Sequence, residues 1–428
     1  MEKQITVAIA GLGNRGYNTY AQIAERFPER MRIAAVADPR PDRVALAANQ
    51  FHLTPEQCFS SAEEMLAKPQ LADLLFVCTQ DGQHAAHAVA GMERGYHILL
   101  EKPIAPTPEQ CHSIFDAAER TKRKVVVCHV LRYTPFFGKV KELLDSGVIG
   151  ELVTIQHQEN VVYWHQAHSF VRGNWRRTDE TSFMLLAKCC HDLDLLLWLS
   201  GKRCLRVSSF GSTYLFREDK APAGAALRCL DGCAVKDTCP YDAEKIYLTN
   251  RRTGVCQGKT GWPCEVLANE PTPENIRQAI QTGPYGRCVY HCDNDVVDHQ
   301  VVNMELTDGV TAQLTMSAFT ERGGRDTRLM GTMGEIIATL SENRITVMPF
   351  GGESYTIDVS KLATDFSGHA GGDVRMVEDF LQWVDTDTIP SARMSTLDRS
   401  LESHFVAFAA EQSRLSGGQS VEVVHSID

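Results

Sequence analysis

The chain has 428 residues, 43% of them hydrophobic and 23% charged, with a formal net charge of -11. That length supports two domains with full cores, and the composition is that of a soluble globular protein. The acidic balance argues against nucleic acid or an anionic membrane as partner, no apolar run is long enough to span a bilayer, and a strand starting at Ile5 leaves no room for a signal peptide.

The strand Ile5 to Ala10 runs straight into Gly11-Leu12-Gly13-Asn14-Arg15-Gly16. Gly11 permits a tight turn and Gly13 lets the backbone approach a pyrophosphate. Gly16 lets the next helix pack on the strand with its N-terminus facing the anion. A second strand, Met31 to Ala37, ends in Asp38, where a carboxylate accepts bonds from ribose hydroxyls. Arg40 is near enough to reach a 2′-phosphate, but Asp38 would repel one, so NAD is favoured over NADP.

A helix from Pro41 to Gln50 precedes the buried strand Leu74 to Cys78, and a helix from Gln83 to Arg94 precedes Tyr96 to Leu100. That strand leads into Glu101-Lys102-Pro103. A helix from Pro108 to Thr121 and the strand Val125 to Cys128 complete the series. Strands alternating with helices mean a parallel sheet covered on both faces, a Rossmann domain over residues 1–130.

From about Gly150 the pattern changes to longer strands of period two, at Leu152 to Val161, Val301 to Leu306 and Thr311 to Ser317. Asp308-Gly309 marks a hairpin between the last two. The helix Leu185 to Leu199 is apolar on most faces yet carries Lys188, His191, Asp192 and Asp194. Helices at Asp373 to Trp383 and Leu397 to Leu415 close the chain. Residues 131–428 therefore form an α+β domain with a large, mostly antiparallel open sheet.

Residues 217–295 fit neither pattern and read as a cysteine-rich insertion. Fourteen cysteines without a secretion signal indicate a reducing cytoplasm and favour metal over disulfides. Cys229-x3-Cys233-x5-Cys239 places three thiols within eleven residues, and Cys288 supplies a fourth. Cys292 and His291 stand close behind Cys288 as the fourth ligand; a closed four-sulfur site would be structural zinc, with an iron–sulfur cluster or unligated thiols as alternatives. Upstream, Trp164, His165, His168, Arg172, Asn174, Trp175 and Arg176 crowd into thirteen residues. Aromatic faces beside hydrogen-bond donors suit a polyhydroxylated ligand, and tryptophans packed on the core are the bland alternative.

The glycine loop, the acidic end of the second strand and Glu101-Lys102-Pro103 together resemble the Gfo/Idh/MocA oxidoreductases. That family includes glucose–fructose oxidoreductase and inositol 2-dehydrogenase. Thr79 and His84 stand where the family's TPNxxH loop would be, and Leu131-Arg132-Tyr133 with Gly147 to Glu151 matches its crossover. His191 and Asp194 fall on the helix that holds its catalytic histidine. His369-Ala370-Gly371-Gly372-Asp373 resembles its late HGGGD segment near the substrate pocket.

The resemblance implies an NAD-dependent dehydrogenase acting on a sugar, an inositol or a glycoside. Hydride transfer from a carbinol carbon needs a base for the hydroxyl proton and a cation near the developing alkoxide. Lys102 and His191 take those roles, His191 titrating near neutrality. Lys188 and Asp192 are helpers that share one helix face with His191. The cofactor would contact Gly11, Gly13, Asn14, Arg15, Gly16, Asp38, Thr79, His84, Glu101 and Lys102. The substrate would contact Arg132, Trp175, Arg176, His191 and His369. Family members pair through the open sheet, so a dimer or tetramer is expected.

One departure matters: many members carry an aspartate four residues before the histidine, and here that position is Ala187. Two further readings stay open. One is a redox-neutral glycosidase that oxidises, eliminates and reduces with retained NAD. The other is a non-catalytic dinucleotide-binding sensor.

Overall fold

The short apolar runs of the first 130 residues form six parallel strands, β1 (Ile5–Ala10), β2 (Met31–Ala37), β3 (Cys58–Phe59), β4 (Leu74–Val77), β5 (His97–Leu100) and β6 (Val125–Val127). Their spatial order is β3-β2-β1-β4-β5-β6. β4 and β6 are buried at every position, which is why they read as continuous apolar runs rather than alternating ones. The order reverses between β1 and β4, opening a crevice at the carboxyl edge of the sheet, where such folds bind ligands. The computed structural model describes residues 4–363 and 367–424.

The second sheet has nine strands: β7 (Leu152–Val162), β8 (Cys204–Ser212), β9 (His299–Leu306), β10 (Thr311–Thr320), β11 (Gly324–Gly331), β12 (Gly334–Thr339), β13 (Arg344–Pro349), β14 (Tyr355–Asp358) and β15 (Val421–Glu422). They run in the order β14-β13-β12-β11-β7-β10-β9-β8-β15. Among the described residues, the β7–β10 pair is parallel and the other pairs of this sheet are antiparallel. The β9–β10 turn falls at Asp308-Gly309, with Asp308 at a φ of 61°. Alternate residues of β7 (Ile155, His157, Glu159 and Val161) are buried, and the helices Met184–Ser200 and Leu397–Leu415 cover the sheet on that side. Thr154, Gln156, Gln158, Gln313 and Thr315 alternate with these positions and are exposed or half-buried. Among the described residues, no helix is long and apolar enough to cross a membrane.

β8 and β9 pair up to Ser212 and His299, so the cysteine-rich segment replaces the loop of one hairpin. It contains the helix Pro273–Thr282 and a small core of its own around Phe216, Tyr247, Ile276, Ile280 and Val289. The chain then makes a return that periodicity does not reveal. Met376, Val377, Phe380 and Leu381 of the helix Gly372–Thr386 join the same core as Val7, Leu74 and Phe76 of the first sheet. Beyond it, the Val127 N–H donates to Ser395 O at 2.9 Å and Val126 bridges Thr396, which covers the edge of β6.

Candidate active site

The three glycines of the first loop do different work. Gly11 has a φ of +92°, and a Cβ there would sit 2.5 Å from Cys78 O. A Cβ on Gly16 would sit 1.8 Å from Gly11 O. Both therefore close the turn onto β4 and onto itself. Gly13 faces open space, with only the Arg43 guanidinium 3.7 Å from a Cβ position, and this is the cradle that a pyrophosphate fits. At the end of β2, buried Asp38 accepts the N–H of Leu12 at 2.7 Å and that of Arg40 at 2.9 Å, and its oxygens keep lone pairs for ribose hydroxyls. The residues present thus fit a dinucleotide.

The rest of the loop is tied to the site rather than left free. Arg15 donates from Nε to Glu101 at 2.6 Å, pairs with Asp373 at 2.6 Å and lies 3.1 Å from His369 Nδ1. Burial works against the charge on Asp373, but Arg15 and His369 overcome it and hold the carboxyl well below its ordinary range. Glu101 also accepts the Tyr20 hydroxyl at 2.8 Å and the Lys102 N–H at 3.0 Å. Asn14 donates to Glu265 of the insertion at 2.5 Å, and Arg40 donates to Asp42 and to Asn269 of the insertion. The insertion therefore leans over the edge of the dinucleotide crevice. His84 spans two loops, its ring nitrogens 2.7 Å from Pro103 O and 3.1 Å from Thr79 O, while the Thr79 hydroxyl meets His87.

Lys102 follows β5 at the carboxyl edge and donates from Nζ to Ala187 O at 2.8 Å. Ala187 lies one turn before His191 on the helix Met184–Ser200. His191 is buried, and its Nδ1 has no partner among the described residues. Its ring lies 5.9 Å from that of His129 and 6.4 Å from that of His369. Burial first, then the charges of Lys102, His129, Arg325 and His369, push its pKa well below the usual histidine value. The expectation that it titrates near neutrality is corrected: His191 is a neutral imidazole at pH 7.

The expectation that Lys188, His191 and Asp192 share one face is also corrected. Lys188 reaches Glu159 of β7 at 3.2 Å. Asp192 is fully buried against the sheet, bonded to His157 Nε2 at 2.9 Å and Arg325 Nε at 2.7 Å. Arg325 also pairs with Glu159 at 2.9 Å. Asp192 is thus locked in a buried network, and Lys188 is half-buried and held by Glu159. Arg132, expected at the substrate, grips Asp194 through two bonds of 2.6 and 2.5 Å, with His129 2.7 Å from the same carboxylate. Burial disfavours that carboxylate, but Arg132 and His129 hold it at about 2. Arg176 is occupied by Glu180 and Asp293, and Trp175 donates its indole N–H to Asp81 at 3.3 Å. Neither arginine is free for a ligand.

Sequence reasoning missed His129, His157, Glu159 and Arg325. A signal did exist for two of them: His157 and Glu159 are polar at i,i+2 on a strand, in phase with buried Ile155 and Val161. It also missed Trp262 of the insertion, whose ring lies 4.7 Å from His165 and 5.2 Å from Trp164. Burial, followed by the charges of Lys188, His168 and Lys102, pushes His165 well below its usual pKa.

The four cysteines named from the sequence come together. Cys229, Cys233, Cys239 and Cys288 line one void of about 10 Å³ with Arg172. As they stand, no group of three or more His, Cys, Asp or Glu side chains among the described residues is arranged to hold a metal ion.

A glycine loop at the reversal point of a parallel sheet, facing a lysine and a buried histidine, defines a dinucleotide-binding oxidoreductase. The chain belongs to the Gfo/Idh/MocA oxidoreductase family: the family's NAD-binding Rossmann fold matches residues 5–129 and its C-terminal alpha/beta domain matches residues 141–422. The putative oxidoreductase YteT of Bacillus subtilis (strain 168) is 23% identical over 401 residues, 87% of each chain. An oxidoreductase domain protein from Kribbella flavida shares the fold with a TM-score of 0.71 at 17% identity, over 99% of this chain and 100% of that one. The WlbA dehydrogenase of Bordetella pertussis, solved in complex with NADH and UDP-GlcNAcA, does so with a TM-score of 0.68 at 15% identity, over 99% and 98%.

Proposed function

We propose that the protein moves a hydride between NAD and a hydroxyl-bearing carbon of a sugar, an inositol or a glycoside. The observation that carries this reading is the unpartnered Nδ1 of buried, neutral His191, one helical turn from the carbonyl that holds Lys102. When bound, NAD accepts or returns the hydride. His191 Nδ1 accepts the proton of the substrate hydroxyl. The Lys102 ammonium faces the oxygen on which negative charge develops. Lys188, held by Glu159, adds a second cation. Trp164, His165 and Trp262 offer an aromatic face for the apolar side of a sugar ring, and His369, beside Arg15 and 6.4 Å from the His191 ring, offers a further polar contact.

NAD is preferred to NADP because Asp38 stands where a 2′-phosphate would go and Arg40 is already engaged by Asp42 and Asn269. The exposed or half-buried polar face of the nine-stranded sheet supports assembly into a dimer or tetramer, and the many free thiols support a cytoplasmic setting.

The test is NAD reduction across free sugars, inositols and glycosides, with product analysis of the same reactions. NADH accumulating with an oxidised polyol is the expected result. Glycoside cleavage without net NADH would replace this reading by the redox-neutral one, and silence in both channels would leave a dinucleotide-binding sensor.

A further inference from the structure

Residues 221–241 contain only turns and one isolated bridge, yet they carry three cysteines, and Cys229 is buried. Backbone pairing brings this stretch to Cys288. The Cys229 N–H donates to Gly286 O at 3.0 Å and the Cys288 N–H to Leu227 O at 2.9 Å, on either side of the bridge between Arg228 and Arg287. Between Cys233 and Cys239 the chain turns back on itself, with the Cys239 N–H donating to Val235 O at 3.0 Å. Four cysteines from two distant segments thus line one small void of about 10 Å³.

Arg172 supplies an independent observation. It is among the largest fully buried side chains, at 1% exposure. Nε donates to Arg287 O at 2.7 Å and one terminal nitrogen to Tyr241 O at 2.8 Å, the latter also lying 3.5 Å from Cys229 Sγ. Its other terminal nitrogen has no partner among the described residues. Arg172 lines the void together with Cys229, Cys233, Cys239 and Cys288, and with Lys236 and Asp242. Carbonyls satisfy donors but do not balance a buried charge, and neutral thiols add nothing to what Asp242 offers. Thiolates would balance it, and a metal is what keeps thiolates in a closed interior.

We propose that Cys229, Cys233, Cys239 and Cys288 bind one zinc ion as thiolates, with Arg172 as the buried cation that offsets part of the site's charge. Each thiol gives up its proton to solvent as its sulfur bonds the metal, so four thiolates and Zn²⁺ carry a net charge of -2, and nothing is oxidised or reduced. Binding would have to draw the four sulfurs together, because as they stand among the described residues they are not arranged to hold a metal. Cys292 stays outside the set, its Sγ donating to Cys288 O at 3.2 Å. The ion would fasten residues 221–241 to the segment around Cys288 in a region with little regular structure. The same insertion carries Trp262, Glu265 and Asn269 to the pocket and the dinucleotide loop, so the site would act on them at a distance.

The experiment is metal analysis of the full chain, purified without a histidine tag or chelator. About one zinc per chain is expected, released in proportion to added mercurial and reported by a chromogenic chelator. Replacement by Co²⁺ should give the sulfur-to-cobalt charge-transfer bands of a tetrathiolate site. Cys233→Ser and Cys239→Ser should each lose most of the metal. A metal-free wild-type chain that takes up neither Zn²⁺ nor Co²⁺ after reduction, with all four thiols alkylating in the folded state, would overturn the proposal. So would zinc retained undiminished in both serine variants. The wild-type measurements stand even if a variant does not fold.

Discussion

Lys102 is tethered to the helix that carries His191: its Nζ donates to the Ala187 carbonyl at 2.8 Å, one turn before the histidine. A backbone carbonyl, unlike a carboxylate, orients the ammonium without neutralising it. The cation therefore keeps its charge for the substrate oxygen and for depressing His191. Lys102→Met should lower kcat roughly a hundred- to ten-thousand-fold, the range of a lost proton-transfer or charge-stabilising group, while leaving NAD affinity within a few-fold. Steady-state rates with fluorescence titration of NAD separate the two. A variant impaired only in NAD binding would remove Lys102 from the chemistry.

His191 provides the pH test. A histidine whose pKa is pushed below its ordinary value stays deprotonated to lower pH, so the acid limb of kcat/KM should lie well below pH 6.5. Lys102 is the largest charge acting on it after burial, so in Lys102→Met the ring should titrate at higher pH. Ring ¹⁵N shifts across a pH series in the wild type and the variant give the comparison. An unmoved titration would show that Lys102 does not act on His191.

The architecture was largely legible. Continuous apolar runs marked strands buried on both faces, period-two runs marked the open sheet, and the helix Met184–Ser200 was read within a residue of each end. Partnership was not legible. Arg132 and Asp194 are 62 residues apart, and Arg325 and Asp192 are 133 apart. Local patterning states which face a residue occupies and not what stands opposite it. The two arginines Arg132 and Arg176 were therefore assigned to substrate when neighbouring carboxylates already hold them. The reach of the insertion to Asn14 and Arg40 spans more than 200 residues and leaves no periodic trace.

The Arg132–Asp194 pair should be costly to break. Both side chains are buried, and removing the carboxylate leaves a guanidinium without its counter-charge. Asp194→Ala should lose about 3–5 kcal/mol of stability, read from the urea midpoint, and the pair replacement Arg132→Met with Asp194→Leu should lose less than that single change. A single-variant loss under about 1 kcal/mol would mean that the pair adds little.

Acid should loosen the chain through His404. The Ile104 N–H donates to His404 Nε2 at 2.8 Å, so that nitrogen carries no proton, and Nδ1–H faces Ser400 O at 3.1 Å. Burial, with His129 next, lowers its pKa to about 3. The folded state then binds fewer protons than the unfolded one between about pH 6.5 and pH 3. This group's contribution is complete above pH 6.5 and is lost as pH falls towards 3. Ile104 follows Lys102 and Pro103, so activity should fail along with stability. His404→Gln, neutral at all pH, should show a shallower loss of stability over that range in urea unfolding at stepped pH. An identical slope would assign the acid sensitivity to other groups.

The glycine loop separates folding from binding. A methyl at Gly16 would collide with Gly11 O, and one at Gly11 would collide with Cys78 O at a φ that L-residues rarely adopt. Both alanine variants should therefore lose stability outright. At Gly13 a methyl meets nothing closer than a flexible arginine 3.7 Å away. Gly13→Ala should fold and melt like the wild type, within about 0.5 kcal/mol. The methyl would nevertheless occupy space that a pyrophosphate needs for close approach to the backbone, so NAD affinity should fall tenfold or more, about 1.4 kcal/mol. Calorimetric NAD titrations beside thermal melts of the three variants distinguish the cases. Unimpaired NAD binding by Gly13→Ala would move the pyrophosphate away from this loop.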